Sequence, residues 1–169
     1  MSETAATPKP AATILLLRPG NNNLEVFMVV RHHQIDFASG ALVFPGGKAD
    51  PQDFEDALLP HLQGAASDAD MRAAQVSAIR EAFEECGILL ARAVGSQQII
   101  SGERLQSLQD QREPMNKGEI PLLDFLHNEQ LVLACDALTH FAHWITPPMM
   151  PKRFDTHFYL AIPPADHIA

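Results

Sequence analysis

The sequence predicts a mixed α/β fold, because short apolar segments typical of strands outnumber the helical segments and are separated by them. The strand-like segments contain many β-branched or aromatic residues and are bounded by glycine, proline or asparagine. They occupy residues 11–19, 24–32, 40–48, 88–94, 130–138, 141–147 and 153–164. The predicted helices are 67–87, 102–119 and 122–128, and a loop rich in Asp, Pro and Gly covers about 49–67.

The composition of the chain limits the class of protein. A length of 169 residues, 46% of them hydrophobic, suits one domain, expected at 11–169 after a flexible tail at 1–10. There is no run of about 18 apolar residues and no signal-peptide core, so we expect a cytoplasmic protein without a membrane partner. The net charge of −9 argues against a nucleic-acid partner. A phosphorylated small molecule stays compatible with it, because a divalent cation can supply the positive charge.

The clearest element is the helix at 67–87. Ser67 or Asp68 can cap its first turn, and Gly87 stands where a glycine commonly ends a helix. Its apolar residues recur at helical spacing and predict a buried face made of Val76, Ile79, Ala82, Phe83 and Cys86.

Three carboxylates lie on another side of the same helix. Each residue of an α-helix advances by about 100°, so Glu81, Glu84 and Glu85 share one stripe of the surface. Like charges at this spacing repel, and the C-terminal end of a helix disfavours anions. Such breaks of local rules are expected at functional sites, and Mg²⁺ or Mn²⁺ would turn the repulsion into coordination. A solvated acidic surface is the alternative interpretation.

A proline and two glycines precede the helix in "VFPGGK". Backbone groups of Gly46 and Gly47 could approach a metal ion or a phosphate closely, because glycine has no side chain to prevent it. A simple turn is the alternative. The combination of this bend with the later R-E-x-x-E-E-x-G segment favours a metal site.

The two segments together resemble the signature of the Nudix hydrolases, G-x5-E-x7-R-E-U-x-E-E-x-G-U, where U is a bulky aliphatic residue. The second half of the signature is present as Arg80, Glu81, Glu84, Glu85, Gly87 and Ile88, with Ala82 at the first U. The first half departs from it, because an insertion at about 49–67 separates Gly46 from the helix. The early glutamate of the signature has three candidate counterparts, Asp50, Asp53 and Glu55.

The flanking segments "FASGALVFPGGKADPQD" and "HWITPPMMPKRFDTHFYLA" resemble the split-signature branch that includes coenzyme A and acyl-coenzyme A diphosphatases. This resemblance implies hydrolysis of such a substrate to 3′,5′-ADP and an (acyl-)4′-phosphopantetheine. ADP-ribose, NADH, nucleotide sugars and dinucleoside polyphosphates are alternative substrates, and a non-catalytic Nudix binding module is an alternative function.

The resemblance also implies a fold and roles for individual residues. The fold would be an α/β/α sandwich around a mixed sheet. Related chains continue with a further strand and helix, so the domain would lack these closing elements or close differently.

Glu81 and Glu85 would bind Mg²⁺ or Mn²⁺ with Glu84 nearby, and Arg80 would orient a glutamate. The expected contacts to substrate phosphate are Gly46, Gly47, Arg31 and Arg153. The candidates for the general base are a glutamate of the helix, Asp155, Asp166 and Glu113. A homodimer is compatible with the resemblance.

Overall fold

The computed structural model describes residues 6–30 and 40–167. Its strands are β1 (Lys9–Pro19), β2 (Leu24–Val26), β3 (Val29–Val30), β4 (Leu42–Val43), β5 (Gly46–Lys48), β6 (Leu62–Gln63), β7 (Ala91–Ala93), β8 (Leu131–Ala134), β9 (Thr139–Ile145) and β10 (Phe154–Ala161). Its α-helices are α1 (Ala69–Cys86), α2 (Gly102–Gln106), α3 (Arg112–Asn116) and α4 (Leu122–Asn128). No helix in these two described ranges is long and apolar enough to cross a membrane.

A mixed sheet forms the centre of the molecule, so the predicted mixed α/β class is confirmed. Its strands follow the order β2-β1-β10-β9, and β5 also pairs with β1. The β1–β10 pair is parallel, whereas β1–β2, β1–β5 and β10–β9 are antiparallel. A second sheet, in the order β6-β8-β7, and the short β3–β4 pair complete the strands of the described residues.

The register of the central sheet places residues from four strands in one lateral row. Gly47 of β5 is opposite Ala12 of β1, and Ala12 is opposite His157 of β10. His157 is in turn opposite His143 of β9. Residues opposite each other across a ladder point to the same face of a sheet. The row therefore runs from the Gly-Gly bend to the edge of the sheet on one face.

The helix α1 lies on that face and is capped as the sequence predicts. The Asp68 side chain accepts a hydrogen bond from the Met71 amide at 2.9 Å, which selects Asp68 over Ser67 as the cap. Gly87 ends the helix in the left-handed conformation, with φ of 72°. The expected apolar residues Val76, Ile79, Ala82 and Phe83 are fully buried, and Cys86 is half-buried.

The insertion at 49–67 is more ordered than the loop expected there. It forms 3-10 helices at Pro51–Phe54 and Asp56–His61, followed by β6. Asp50 caps the first of these, accepting a hydrogen bond from the Gln52 amide at 3.1 Å. Leu58 of the second is 1% exposed, so burial of an apolar side chain anchors the segment to the core.

Other elements differ in length from the predicted ones for local reasons. The polar helix expected at 102–119 is divided into α2 and α3, because Pro114 would clash with the carbonyl of Asp110 in a continuous helix. The strand expected at 40–48 is divided at Pro45, which has no amide for pairing. β1 begins at Lys9, so the last two residues of the expected tail belong to the sheet.

Candidate active site

Two of the predicted carboxylates meet the Gly-Gly bend. The Gly46 amide donates a hydrogen bond to Glu85 Oε2 at 3.0 Å. A side-chain carbon at Gly47 would lie only 2.7 Å from the carboxyl atoms of Glu81, so the carboxylate occupies the space that glycine leaves open. The bend contacts the cluster through the Gly46 amide, whereas the sequence predicted that its backbone groups would approach a metal ion or a phosphate. Glu81 and Glu85 are thus gathered at one place, between α1 and β5.

Arg80 holds this region together from a nearly buried position. Its Nε and Nη2 donate to the two carboxyl oxygens of Asp53 at 2.9 and 3.0 Å. Its Nη1 lies 2.9 Å from Glu84 Oε2 and 3.0 Å from Glu81 Oε1, and Nη2 also donates to the Lys48 carbonyl at 3.2 Å. One guanidinium therefore connects three carboxylates and the end of β5.

The contact between Arg80 and Asp53 distinguishes among the three acids that the sequence offered for the early glutamate. The Asp53 side chain has no exposed surface and also accepts the Asp50 amide at 2.8 Å. Asp50 caps the neighbouring 3-10 helix, whereas Glu55 is exposed. Of these three acids, Asp53 is therefore the one that pairs with Arg80 of α1.

The three glutamates have different surroundings. The Glu84 side chain is 6% exposed and paired with Arg80, whereas Glu81 is 14% exposed and Glu85 is open to solvent. Burial raises the pKa of the Glu81 carboxyl to about 7; Arg80 opposes this shift, and the charges of Glu85 and Glu84 add to it. Burial also raises the pKa of Glu84. Unlike carboxylates on a solvated surface, those of Glu81 and Glu84 lie where water screens their charge poorly.

This arrangement fits a divalent cation. Glu81 and Glu85 present carboxylate oxygens, the ligands that hard cations prefer, and both side chains lie against the Gly-Gly bend. Burial, and to a smaller extent the charges of Glu85 and Glu84, raise the pKa of Glu81, and a cation bound there would offset these effects by favouring the ionised carboxylate. Glu84 is the least accessible of the three, because Arg80 already engages it.

The C-terminal end of α1 is stabilised by a residue that the sequence did not single out. Arg112, in α3, donates from Nε to the Phe83 carbonyl at 2.9 Å and from Nη2 to the Glu84 carbonyl at 3.3 Å. Gln109 also donates to the Gly87 carbonyl at 3.0 Å. The last turn of α1 contains no basic residue, and this lack was the signal that a cation from elsewhere would be needed.

The remaining predicted residues lie in different surroundings. Arg153 donates from Nε to the Thr146 carbonyl at 2.9 Å and from Nη1 to the Ala6 carbonyl at 2.7 Å, so backbone groups occupy part of its guanidinium. Arg31 lies outside the described residues, as does the beginning of the "FASGALVF" segment.

The candidates for a general base outside α1 each have a partner. Asp155 contacts His143, Asp166 accepts the Gly102 amide at 2.6 Å, and Glu113 pairs with Lys117 on the surface at 2.6 Å. Trp144 is 70% exposed on the edge strand β9.

Comparison with known proteins identifies the family. The model of the NUDT19 Nudix domain matches residues 60–165. Among solved structures, the chain is similar to the crystal structure of a NUDIX hydrolase from Alicyclobacillus acidocaldarius, with 31% identity and a TM-score of 0.75. The match covers 92% of this chain and 70% of that one. No curated protein matches the sequence significantly.

The protein is thus a mixed α/β structure in which a carboxylate-bearing helix lies against a glycine bend. The chain belongs to the Nudix family. It is accordingly a hydrolase that acts on pyrophosphate linkages in small phosphorylated molecules, and the family generally uses divalent metal ions.

Proposed function

We propose that this protein hydrolyses the diphosphate linkage of coenzyme A or acyl-coenzyme A, with Mg²⁺ or Mn²⁺ held by Glu81 and Glu85. The products would be 3′,5′-ADP and 4′-phosphopantetheine or its acyl derivative. The observation that carries the catalytic part of the proposal is the meeting of Glu81 and Glu85 with the Gly46–Gly47 bend. The substrate part rests on the resemblance of the two flanking segments to the coenzyme A diphosphatase branch.

The chemistry suits a diphosphate. The bound ion would offset the charge of the two phosphates and favour attack of water on phosphorus. Glu81 is suited to hold it, because a cation replaces the proton that the buried carboxyl otherwise binds at a pKa of about 7. Arg80 keeps Glu81 and Glu84 in place, and Asp53 holds Arg80 through two hydrogen bonds.

The second flanking segment folds as one connected turn, which supports its treatment as a single motif. The Thr146 hydroxyl accepts the Phe154 amide at 3.0 Å, and Arg153 donates to the Thr146 carbonyl. This "W-x-T-P…R-F-D-T" turn joins β9 to β10 at the end of the central sheet. We propose that Arg153, and Arg31 on the segment outside the described residues, contact substrate phosphate.

The test is turnover of a substrate panel with Mg²⁺ or Mn²⁺: coenzyme A, acetyl-coenzyme A, NADH, ADP-ribose and a nucleotide sugar. We expect 3′,5′-ADP from the first two. Glu81→Gln and Glu85→Gln should each lower kcat by at least about 100-fold. Each variant removes a proposed metal ligand, and loss of a ligand should cost at least as much activity as loss of a residue that only positions one. Glu119→Gln, at an exposed glutamate far along the chain, is the matched control and should keep full activity.

Two outcomes would redirect the proposal. Turnover of NADH, ADP-ribose or the nucleotide sugar alone would replace the coenzyme A assignment and leave the metal site in place. Binding of coenzyme A without turnover of any substrate, unaffected by chelation of metals, would identify a non-catalytic module.

A further inference from the structure

A second group of metal-binding side chains lies on the β9–β10 pair. His143 and His157 are directly opposite in the register, and Asp155 precedes His157 by two positions on the same face. One nitrogen or oxygen atom from each residue lies within 4.8 Å of those from the other two. His143 Nε2 contacts Asp155 Oδ1, and the imidazole rings of His143 and His157 are stacked with centroids 4.1 Å apart. The reaction proposed above uses neither histidine.

The group opens onto a cleft beneath the first turns of α1. Asp155 and His157 line this cleft, of about 110 Å³, together with Asp70 and Ala74 of the helix. His157 lies two strands from Gly47 in the lateral row, roughly 10 Å away at the usual strand spacing. The group is therefore on the same face as the glutamate cluster but separate from it.

Two imidazoles and one carboxylate form a ligand set for a borderline-soft cation. Imidazole suits Zn²⁺, Co²⁺, Ni²⁺ and Cu²⁺, whereas Mg²⁺ prefers a shell made only of oxygen. We propose that His143, Asp155 and His157 bind one divalent transition-metal ion of the zinc class at a site distinct from the glutamates of α1.

Binding of such an ion requires only a local adjustment of these three side chains. Bonds of about 2.0 to 2.2 Å to a tetrahedral ion bring ligand atoms to roughly 3.3 Å from one another. The ligand atoms lie within 4.8 Å of one another, so the most distant pair must approach by up to about 1.5 Å, whereas His143 Nε2 and Asp155 Oδ1, which are already in contact, must move apart. Turning of the two rings can supply both movements, because His143 is exposed on an edge strand. Three protein ligands leave a fourth position for water or for an anionic group that enters the cleft.

His140 gives His157 an outer partner. His140 Nε2 lies 3.0 Å from His157 Nδ1, which leaves Nε2 of His157 for the ion. A partner on the second ring nitrogen is the usual arrangement for a metal-bound histidine, since it holds the ring and its tautomer. His140 is in this proposal a positioning residue.

The experiment is calorimetric titration of Zn²⁺ into the full chain in excess Mg²⁺, which keeps the glutamate cluster supplied with its own ion. We expect one zinc site per chain. His143→Ala and His157→Ala should each weaken its affinity by at least tenfold, and Asp155→Asn should weaken it while preserving the side-chain shape. His127→Ala removes an exposed histidine of α4 as a matched control and should leave zinc affinity unchanged.

Two further measurements make the result decisive. The double variant Glu81→Gln with Glu85→Gln should keep the zinc site, and Zn²⁺ should raise the Tm of the wild-type and His127→Ala proteins but not that of His143→Ala. Circular dichroism verifies that each variant is folded. Equal zinc affinity in the wild-type, His143→Ala and Asp155→Asn proteins would overturn the proposal, as would loss of zinc binding in the glutamate variant alone.

Discussion

Glu81 shows how burial and charge combine at a single residue. Its carboxyl group lies against Gly47 and Arg80 and has two acidic neighbours on the same helix. Helical spacing predicted that Glu81, Glu84 and Glu85 would share one side of the helix. It did not predict that Glu84 would turn to Arg80, or that only Glu81 and Glu85 would reach the bend.

The raised pKa of Glu81 predicts a pH dependence of stability in the absence of metal. The folded-state pKa of Glu81, about 7, exceeds the ordinary value of 4.5. The protonated carboxyl therefore contributes fully to the stability of the folded state below pH 4.5, and this contribution is lost as the pH rises through 7. Relative to Glu81→Gln, the wild-type free energy of unfolding should fall by up to about 3 kcal/mol between about pH 5 and pH 8. Urea denaturation in the presence of a chelator measures this difference.

Addition of Mg²⁺ in the same experiment is the control. The cation binds the deprotonated carboxylate, so it should restore stability to the wild-type protein at the higher pH and have a smaller effect on Glu81→Gln. Parallel pH profiles of the two proteins without metal would contradict the burial of Glu81.

The close approach of Gly47 and Glu81 predicts the effect of one methyl group. In Gly47→Ala, the added carbon would lie 2.7 Å from the Glu81 carboxyl atoms, so the carboxylate must move. A displacement of about 1 Å can cost about 100-fold in rate, and we expect a loss of kcat of that order, measured on the substrate that the panel identifies.

Gly95→Ala provides the comparison for this variant. No atom of the described residues lies within 4 Å of a side-chain carbon placed at Gly95, and the φ of Gly95 is 82°. The substitution should cost about 1 kcal/mol of stability because of the left-handed backbone, and it should leave kcat unchanged. Full activity in Gly47→Ala would show that the position of Glu81 is not critical.

At the scale of elements, the insertion and α1 form one unit through a buried ion pair. The sequence located the insertion between the bend and the helix but indicated a loop. Packing of Leu58 and the pairing of Asp53 with Arg80 order the segment instead. The insertion thereby supplies Asp53, the one of the three candidate acids that pairs with Arg80.

The ion pair predicts that Asp53→Asn destabilises the protein strongly. Removal of one partner leaves the Arg80 charge buried without its main counterion, which should lower the free energy of unfolding by about 3 to 5 kcal/mol. Denaturation by urea measures the change. Asp56→Asn is the matched control in the same segment, because Asp56 is 84% exposed and lies 3.5 Å from Arg72; its effect should stay below about 1 kcal/mol.

At the scale of the whole molecule, α1 lies between two packed regions. The central sheet contacts one side through β1 and β5, and α3 and α4 approach the other. Phe83 of α1 and Phe125 of α4 stack with ring centroids 5.4 Å apart. The predicted apolar face of α1 is therefore only part of its buried surface, which also includes Ser77 and Arg80.

This packing predicts that Phe125→Ala lowers the free energy of unfolding, because Phe125 packs against α1. Phe125 is 1% exposed, and removal of a buried aromatic ring costs about 3 to 5 kcal/mol. Phe141→Ala, at a phenylalanine that is 61% exposed on β9, should change stability by no more than about 0.5 kcal/mol. Equal urea midpoints for the two variants would contradict the role of the α1–α4 contact.

The sequence by itself determined the local features of this protein. The period and caps of α1, the Gly-Gly bend and α4 at 122–128 all follow from interactions between residues close along the chain. These features, with the resemblance to the Nudix signature, were enough to predict the mixed α/β class and the hydrolase family.

Only the tertiary structure decided which distant residues meet. Packing brings Asp53, rather than Asp50 or Glu55, to Arg80, 27 positions away. The register of β9 and β10 likewise joins His143 to His157 and Asp155, a group that no local pattern indicated. The physical reason is that sequence periodicity describes one element at a time, whereas burial and pairing between elements determine the partners and pKa values of the site.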